Sequence, residues 1–194
     1  MNDIDANYRR ITGFAPYAWQ QRLTDEGLPQ TLEIPTGCGK TAAVFMAWAY
    51  RRRLHPDAAV RQATPRRLVF VLPQRSLVEQ TVENVRTWIA NAGWSAGHGE
   101  DHLPVHVLMG GESVGSWQLE PHRDAVIIGT LDMVLSRTLN RGYAMNRYAW
   151  PVDFGLLNND CHYVLDEVQL LGAAATTSRQ LDAVRAKHGT AIGS

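Results

Sequence analysis

The stretch Ile34-Pro-Thr-Gly-Cys-Gly-Lys-Thr41 decides how the rest of the chain is read. Gly37 and Gly39 free the backbone to wrap round an anion. Lys40 and Thr41 then open Ala42-Ala-Val-Phe-Met-Ala-Trp-Ala49, a strong helix former whose N-terminal N–H groups and dipole face the same place. The short apolar run Thr31 to Ile34 comes before the glycines and predicts a strand. Strand, glycine turn, Lys-Thr and helix in that order are the context of a phosphate-binding loop. Thr36, Gly37, Cys38, Gly39, Lys40 and Thr41 are therefore the expected contacts to ATP, with Lys40 reaching the β and γ phosphates and the Thr41 hydroxyl meeting Mg²⁺. One departure stands out: the general pattern has glycine where this chain has Ile34.

Outward from the loop, near-continuous apolar runs recur at Leu68 to Leu72, Val105 to Met109, Ala125 to Ile128 and Tyr163 to Leu165. Such runs suit strands buried on both faces of a parallel sheet. Helices are predicted at Lys40 to Arg53, Ser76 to Ala92, Leu131 to Leu139 and Thr177 to Lys187. In the second of them Leu77, Val78, Thr81, Val85, Trp88 and Ile89 recur at helical spacing, which marks a packed face. The alternation gives an α/β class, a parallel sheet flanked by helices with right-handed crossovers. Leu54 to Arg67 and Asn91 to Pro104, rich in Gly, Pro, His and charge, read as loops, and no internal domain boundary is evident.

Tyr163-Val-Leu-Asp-Glu-Val-Gln169 is an apolar strand that ends in adjacent carboxylates. Together with a phosphate loop it completes a nucleotide hydrolase site. Asp166 holds Mg²⁺ through water, and Glu167 orients and deprotonates the attacking water. Other strand ends suit phosphate contacts that read no sequence: Pro73, Gln74, Arg75 and Ser76 at a helix start, Gly110 and Gly111, and Thr130 with Arg137 further along its helix.

Composition sets the limits. The 194 residues are 45% hydrophobic and carry 19 basic against 19 acidic groups, so no global charge draws the chain to nucleic acid or membrane. Only Lys40 and Lys187 are lysines, the remaining basic residues being arginines. Cys38 and Cys161 are too few for a disulfide framework and lack metal-ligand spacing, and Cys38 reads as a small loop residue. His98, His102 and His106 lie among Gly97, Gly99 and Pro104, which argues for a solvated stretch rather than a metal site. The start, MNDIDANYRR, lacks a secretory apolar core, and no run approaches the ~18 residues of a membrane span, so a cytoplasmic protein is expected.

The segments IPTGCGKT, LPQRSLVEQT, VHVLMGGE, VIIGTLDMVLSR, LNRGYAMNRYAWPVDFGLLNNDC and VLDEVQLLG together resemble the CRISPR-associated helicase-nuclease of type I systems, a superfamily 2 helicase. The GTLD motif and the run into DEVQLLG are most similar to the type I-U (I-G) branch, and the resemblance extends from about Phe14 to Lys187. It implies a RecA-like P-loop NTPase fold. It also implies an ATP-driven motor that pulls single-stranded DNA toward an HD nuclease, recruited by an RNA-guided CRISPR surveillance complex. Lys40, Thr41, Asp166 and Glu167 match the family's nucleotide-site positions, and Gln169 would link the γ-phosphate to nucleic-acid binding. Phe14-Ala-Pro-Tyr-Ala-Trp-Gln20 resembles the adenine-reading region, with Gln20 favoured over Gln21. Leu72-Pro-Gln-Arg-Ser76 stands where these motors place their first strand-contacting motif.

The resemblance leads one to expect a strand with an S-A-T type motif after Lys187, then a second RecA-like lobe. The expectation is accordingly a single lobe over residues 1–194, without that strand, the second lobe or the HD nuclease, and nearly inactive in isolation. The alternatives are a fragment of another superfamily 2 DNA or RNA helicase, and a non-catalytic nucleotide- or DNA-binding module.

Overall fold

A computed structural model describes residues 3–35, 37–95, 101–110, 117–143 and 145–190. Thr36 and Gly111, two expected site residues, lie outside the described set, as does His98. The chain groups into two compact units: Met1–Thr64 with Asn84–His102, and Pro65–Glu83 with Leu103–Ser194.

The first unit is helical. In α1 (Asp3–Thr12) Ile4, Tyr8 and Ile11 fall on one face and are buried, and Gly13, at φ 82°, lets the chain turn out of the helix. Helix α2 (Ala18–Glu26) ends the same way at Gly27, whose N–H donates to the Leu23 carbonyl at 2.9 Å. Helix α3 (Lys40–Ala49) is apolar on every side after Thr41, and Ala43 to Ala49 are all buried, as an all-round apolar helix must be. It runs into a π-helical turn, Tyr50–Leu54. There Arg52 donates to the carbonyls of Arg61 (2.8 Å) and Thr64 (3.1 Å), bracing α4 (Ala58–Ala63). The loop expected over Leu54 to Arg67 thus contains a helix, nucleated by Asp57, whose carboxylate accepts from the Ala59 N–H at 2.8 Å.

Helix α5 (Arg75–Ala92) begins in the second unit and ends in the first. Its predicted face holds: Val78, Thr81, Val85 and Ile89 are buried, joined by Val82. In the first unit Trp88 packs on Phe45 with ring centroids 5.4 Å apart, and the Asn91 side chain donates to the Ile11 carbonyl at 2.9 Å.

The second unit carries the sheet. Strands β1 (Arg67–Leu72), β2 (Val105–Leu108), β3 (Ala125–Thr130) and β4 (Cys161–Leu165) run parallel in the order β2-β3-β1-β4. All six residues of β1 are buried, as its apolar run requires of a central strand. Helices α6 (Leu131–Thr138), α7 (Trp150–Leu157) and α8 (Ala173–His188) complete the unit. The core joins Val69, Val71, Leu108, Ile127, Met133, Val134, Leu157 and Cys161. Arg67, at the start of β1, is also buried; its guanidinium donates to the carbonyls of Leu156, Asn159 and Pro121 at 3.2, 3.0 and 2.7 Å. Arg185 of α8 lies 4.5 Å above the Tyr163 ring and so ties that helix to β4.

The α/β class with a parallel sheet is therefore borne out, while one strand is not. Thr31 to Ile34 forms no ladder with any described residue, and its residues alternate between exposed and half-buried. Thr-Leu-Glu-Ile is a polar/apolar alternation in a very short run, and a strand exists only where a neighbour offers its edge.

Burial also sets thiol chemistry. Cys161 is fully enclosed, which pushes its thiol up to about 12 and leaves almost no thiolate near neutral pH. Cys38 is only half-buried. A disulfide reagent at pH 8 should label one thiol per folded chain, at Cys38, and two after denaturation. Two equally fast thiols in the folded chain would contradict the enclosed core.

Candidate nucleotide site and nucleic-acid interface

In the first unit the phosphate loop has the expected local geometry. Gly37 (φ 83°) and Gly39 (φ 77°) are both left-handed, so each needs the freedom that glycine alone has at no steric cost. Lys40 is the first residue of α3, and the helix cap at Gly39 makes no side-chain hydrogen bond. The first N–H groups of a helix have no intrahelical partner and are satisfied by caps, water or ligands. With no capping side chain, those of α3 suit a phosphate.

Gln20 joins this loop. Its Oε1 accepts from the Tyr17 N–H at 2.9 Å, and its Nε2 donates to the carbonyls of Cys38 (3.4 Å) and Gly39 (3.3 Å). The choice of Gln20 over Gln21 thus coincides with the glutamine that touches the loop, where it acts as a brace. Both ends of the amide are engaged, so pairing with adenine would require exchanging these bonds. A Cβ at position 39 would lie 3.0 Å from Gln20 Nε2.

In the second unit the sheet register gathers the other expected residues along one edge. Leu72 pairs with Thr130, Leu108 with Gly129, and Val71 with Leu165, so β1, β2, β3 and β4 end together. Pro73, Gln74, Arg75 and Ser76 follow β1, Gly110 follows β2, Thr130 closes β3 and Asp166 follows β4. The carboxyl edge of a parallel sheet is where open α/β folds bind ligands. Gln74, Arg75 and Ser76 are exposed, and Thr130 caps α6 without spending its hydroxyl on the helix.

At the end of β4, Glu167 has left-handed backbone angles, φ 51° and ψ 49°. In a non-glycine residue this costs roughly 1–3 kcal/mol and persists only where the surroundings impose it. Here Asp166 Oδ1 accepts the Glu167 N–H at 2.9 Å, the Glu167 carbonyl accepts the Leu170 N–H at 2.8 Å, and Gln169 Nε2 donates to the Glu167 carboxylate. The three expected polar residues Asp166, Glu167 and Gln169 thus form one hydrogen-bonded group. Asp166 Oδ2 remains without a hydrogen bond to the described residues.

No group of three or more metal-ligating side chains occurs among the described residues. Mg²⁺ in nucleotide sites is held by one or two carboxylates together with phosphates, and in the second unit the Asp166 carboxylate fits that donor chemistry.

One expectation fails on the nucleic-acid side. Arg137 is not a surface contact: it and Asp153 of α7 are fully buried, joined by a 2.6 Å ion pair, and Asp153 also accepts from Gln118 Nε2 at 2.8 Å. The signal was present in the sequence, since Arg137 stands three and four residues from the buried Val134 and Met133, on the apolar face of α6. At Gly110 a Cβ would meet open space. The crowded position is Gly129, where a Cβ would lie 2.7 Å from the Leu108 carbonyl and 2.9 Å from Val134 Cγ2. That glycine serves packing.

The fold and these residues define an α/β nucleotide-binding domain. Compared with known families, the sequence matches the DEAD/DEAH box helicases over residues 17–189, and the chain belongs to that family. Membership implies ATP binding and, in general, ATP-dependent helicase activity. No curated protein matched the chain. No helix among the described residues is long and apolar enough to cross a membrane.

Proposed function

We propose that this chain is the ATP-binding lobe of a motor that moves single-stranded DNA in CRISPR interference, working with a second RecA-like lobe, an HD nuclease and an RNA-guided surveillance complex. The observation that carries its motor chemistry is the constrained Glu167, set beside Asp166 at the carboxyl end of β4. In this reading Lys40 and the N-terminus of α3 hold the β and γ phosphates, and Thr41 and Asp166 would supply oxygens to Mg²⁺, which would neutralise phosphate charge. Glu167 takes a proton from the water that attacks the γ-phosphorus, and ADP leaves. Gln169, bonded to Glu167, reports the state of that carboxylate to the nucleic-acid edge. The CRISPR context rests on the sequence resemblance, from LPQRSLVEQT to VLDEVQLLG. The motor lobe of another superfamily 2 helicase would use the same nucleotide site.

Glu167→Gln should leave ATP affinity within about twofold and lower turnover ~10²–10⁴-fold, the usual contribution of general base catalysis. Isothermal titration of the chain reads the first effect and phosphate release by the motor completed with its second lobe the second; equal turnover in the variant would remove Glu167 from the chemistry. Pull-down with a type I surveillance complex, against a matched sample without guide RNA, tests the context. Absence of guide-dependent capture favours the general helicase.

A further inference from the structure

On both sides of residue 144, which lies outside the described residues, the connection between α6 and α7 is hydrogen-bonded yet leaves its tyrosines exposed. Its backbone is pinned at several points. The Arg141 N–H donates to the Ser136 carbonyl at 2.8 Å and the Tyr143 N–H to Ser136 Oγ at 3.4 Å. The Met145 N–H reaches the Gly142 carbonyl at 3.3 Å, and Asn146 Oδ1 accepts the Tyr148 N–H at 3.1 Å to start a short 3₁₀ turn, Arg147–Ala149. Gly142 is enclosed: a Cβ there would lie 2.5 Å from Met145 Sδ and 3.0 Å from Trp150 Cδ1. The buried Arg137–Asp153 pair fastens the helices on either side.

On this fixed frame Tyr143 is 69% and Tyr148 91% exposed, and Arg141 and Arg147 are exposed as well. None of the four side chains makes a hydrogen bond or ion pair with the described residues. No acidic residue occurs from Leu139 to Ala149, and Asp153 beyond it is buried and paired, so the two guanidinium charges are not compensated locally. Folding gains nothing from leaving two tyrosine rings in water, and two exposed aromatic rings together with two arginines in one short connection supply what a single-strand site is made of.

We infer that Tyr143, Tyr148, Arg141 and Arg147 form a stacking surface for single-stranded nucleic acid, separate from the strand-end contacts and resting on the helicase reading of the chain. Aromatic faces stack unpaired bases whatever their identity, and arginines take the intervening phosphates. The backbone hydrogen bonds at Arg141, Tyr143 and Tyr148 reduce the ordering needed at those residues on binding, which lowers the entropy lost. A duplex keeps its bases stacked on one another and offers the rings no face, so a single strand is the ligand.

The test uses the 194-residue chain and fluorescein-labelled oligo-dT, with oligo-rU and a duplex of equal length for comparison, read by anisotropy over a salt series. Tyr143→Ala/Tyr148→Ala should weaken single-strand binding at least ~10-fold, since each stacked base contributes about 5- to 150-fold. The salt slope should stay as in wild type, and Tyr143→Phe/Tyr148→Phe should keep wild-type affinity. Arg141→Gln/Arg147→Gln should instead reduce the slope by about 1.4, the value for two phosphate contacts on a single strand. All four side chains are exposed, and unchanged melting curves will show that the variants fold.

If Arg75→Ala weakens binding while the tyrosine variant stays within twofold of wild type, the stacking surface is refuted and the helicase reading survives. A protein-docking face then becomes the better account of the exposed rings. If wild type binds neither single strand, both readings fall.

Discussion

Lys40→Ala should abolish measurable ATP binding by the chain. The ammonium at the first residue of α3 is the cation that a phosphate loop would place on the phosphate chain, beside N–H groups that remain in the variant. Loss of a charge-assisted bond of about 1.5–3 kcal/mol weakens binding ~10- to 100-fold by itself. From the weak binding expected of a single lobe, that loss would take the interaction out of calorimetric range. Turnover should fall a further ~10²–10³-fold, because the same charge faces the phosphoryl group as it transfers. Unchanged ATP affinity in the variant would overturn the phosphate-loop assignment. Lys40→Arg should restore little, since a planar fork does not replace a compact point charge.

Arg137→Met should lower the unfolding free energy by about 3–5 kcal/mol, the penalty for stranding one partner of a buried ion pair. That is a large share of the ~5–15 kcal/mol on which a domain rests. Asp153 would keep its bond to Gln118 but lose the cation that neutralises it at 2.6 Å. Arg137→Met/Asp153→Leu should recover much of the loss, because a packed apolar pair of similar volume is often as stable as the ions it replaces. Chemical denaturation of the single and double variants measures both values. Full additivity of the two single losses would refute the pairing. A fall in single-strand affinity for Arg137→Met, at temperatures where it is fully folded, would return Arg137 to the nucleic-acid surface.

Much of the architecture was legible. The apolar runs marked all four strands of the sheet to within two residues, because strands buried on both faces leave a nearly continuous signal. The helical spacing from Leu77 to Ile89 marked α5 for the same reason, and its buried face follows that spacing. Thr31 to Ile34 was misread because pairing belongs to two segments at once and cannot be seen in one of them. The helix at Ala58–Ala63 was missed because Pro56, His55 and the arginines around it weigh toward a loop, while the cap at Asp57 acts through a single bond.

By itself the sequence determined the chemistry that depends on consecutive residues. The glycines that allow left-handed turns at 37 and 39, the lysine that begins a helix, and the carboxylates at a strand end are all short-range facts. Tertiary structure alone decided which polar groups face solvent and which meet one another. It sealed Arg137 against Asp153 and set the Gln20 amide nitrogen against the Cys38 and Gly39 carbonyls. Burial and hydrogen-bond partnership arise between segments far apart in the chain. A residue's type states what it can bond, and only the packed fold states what remains for it to bond.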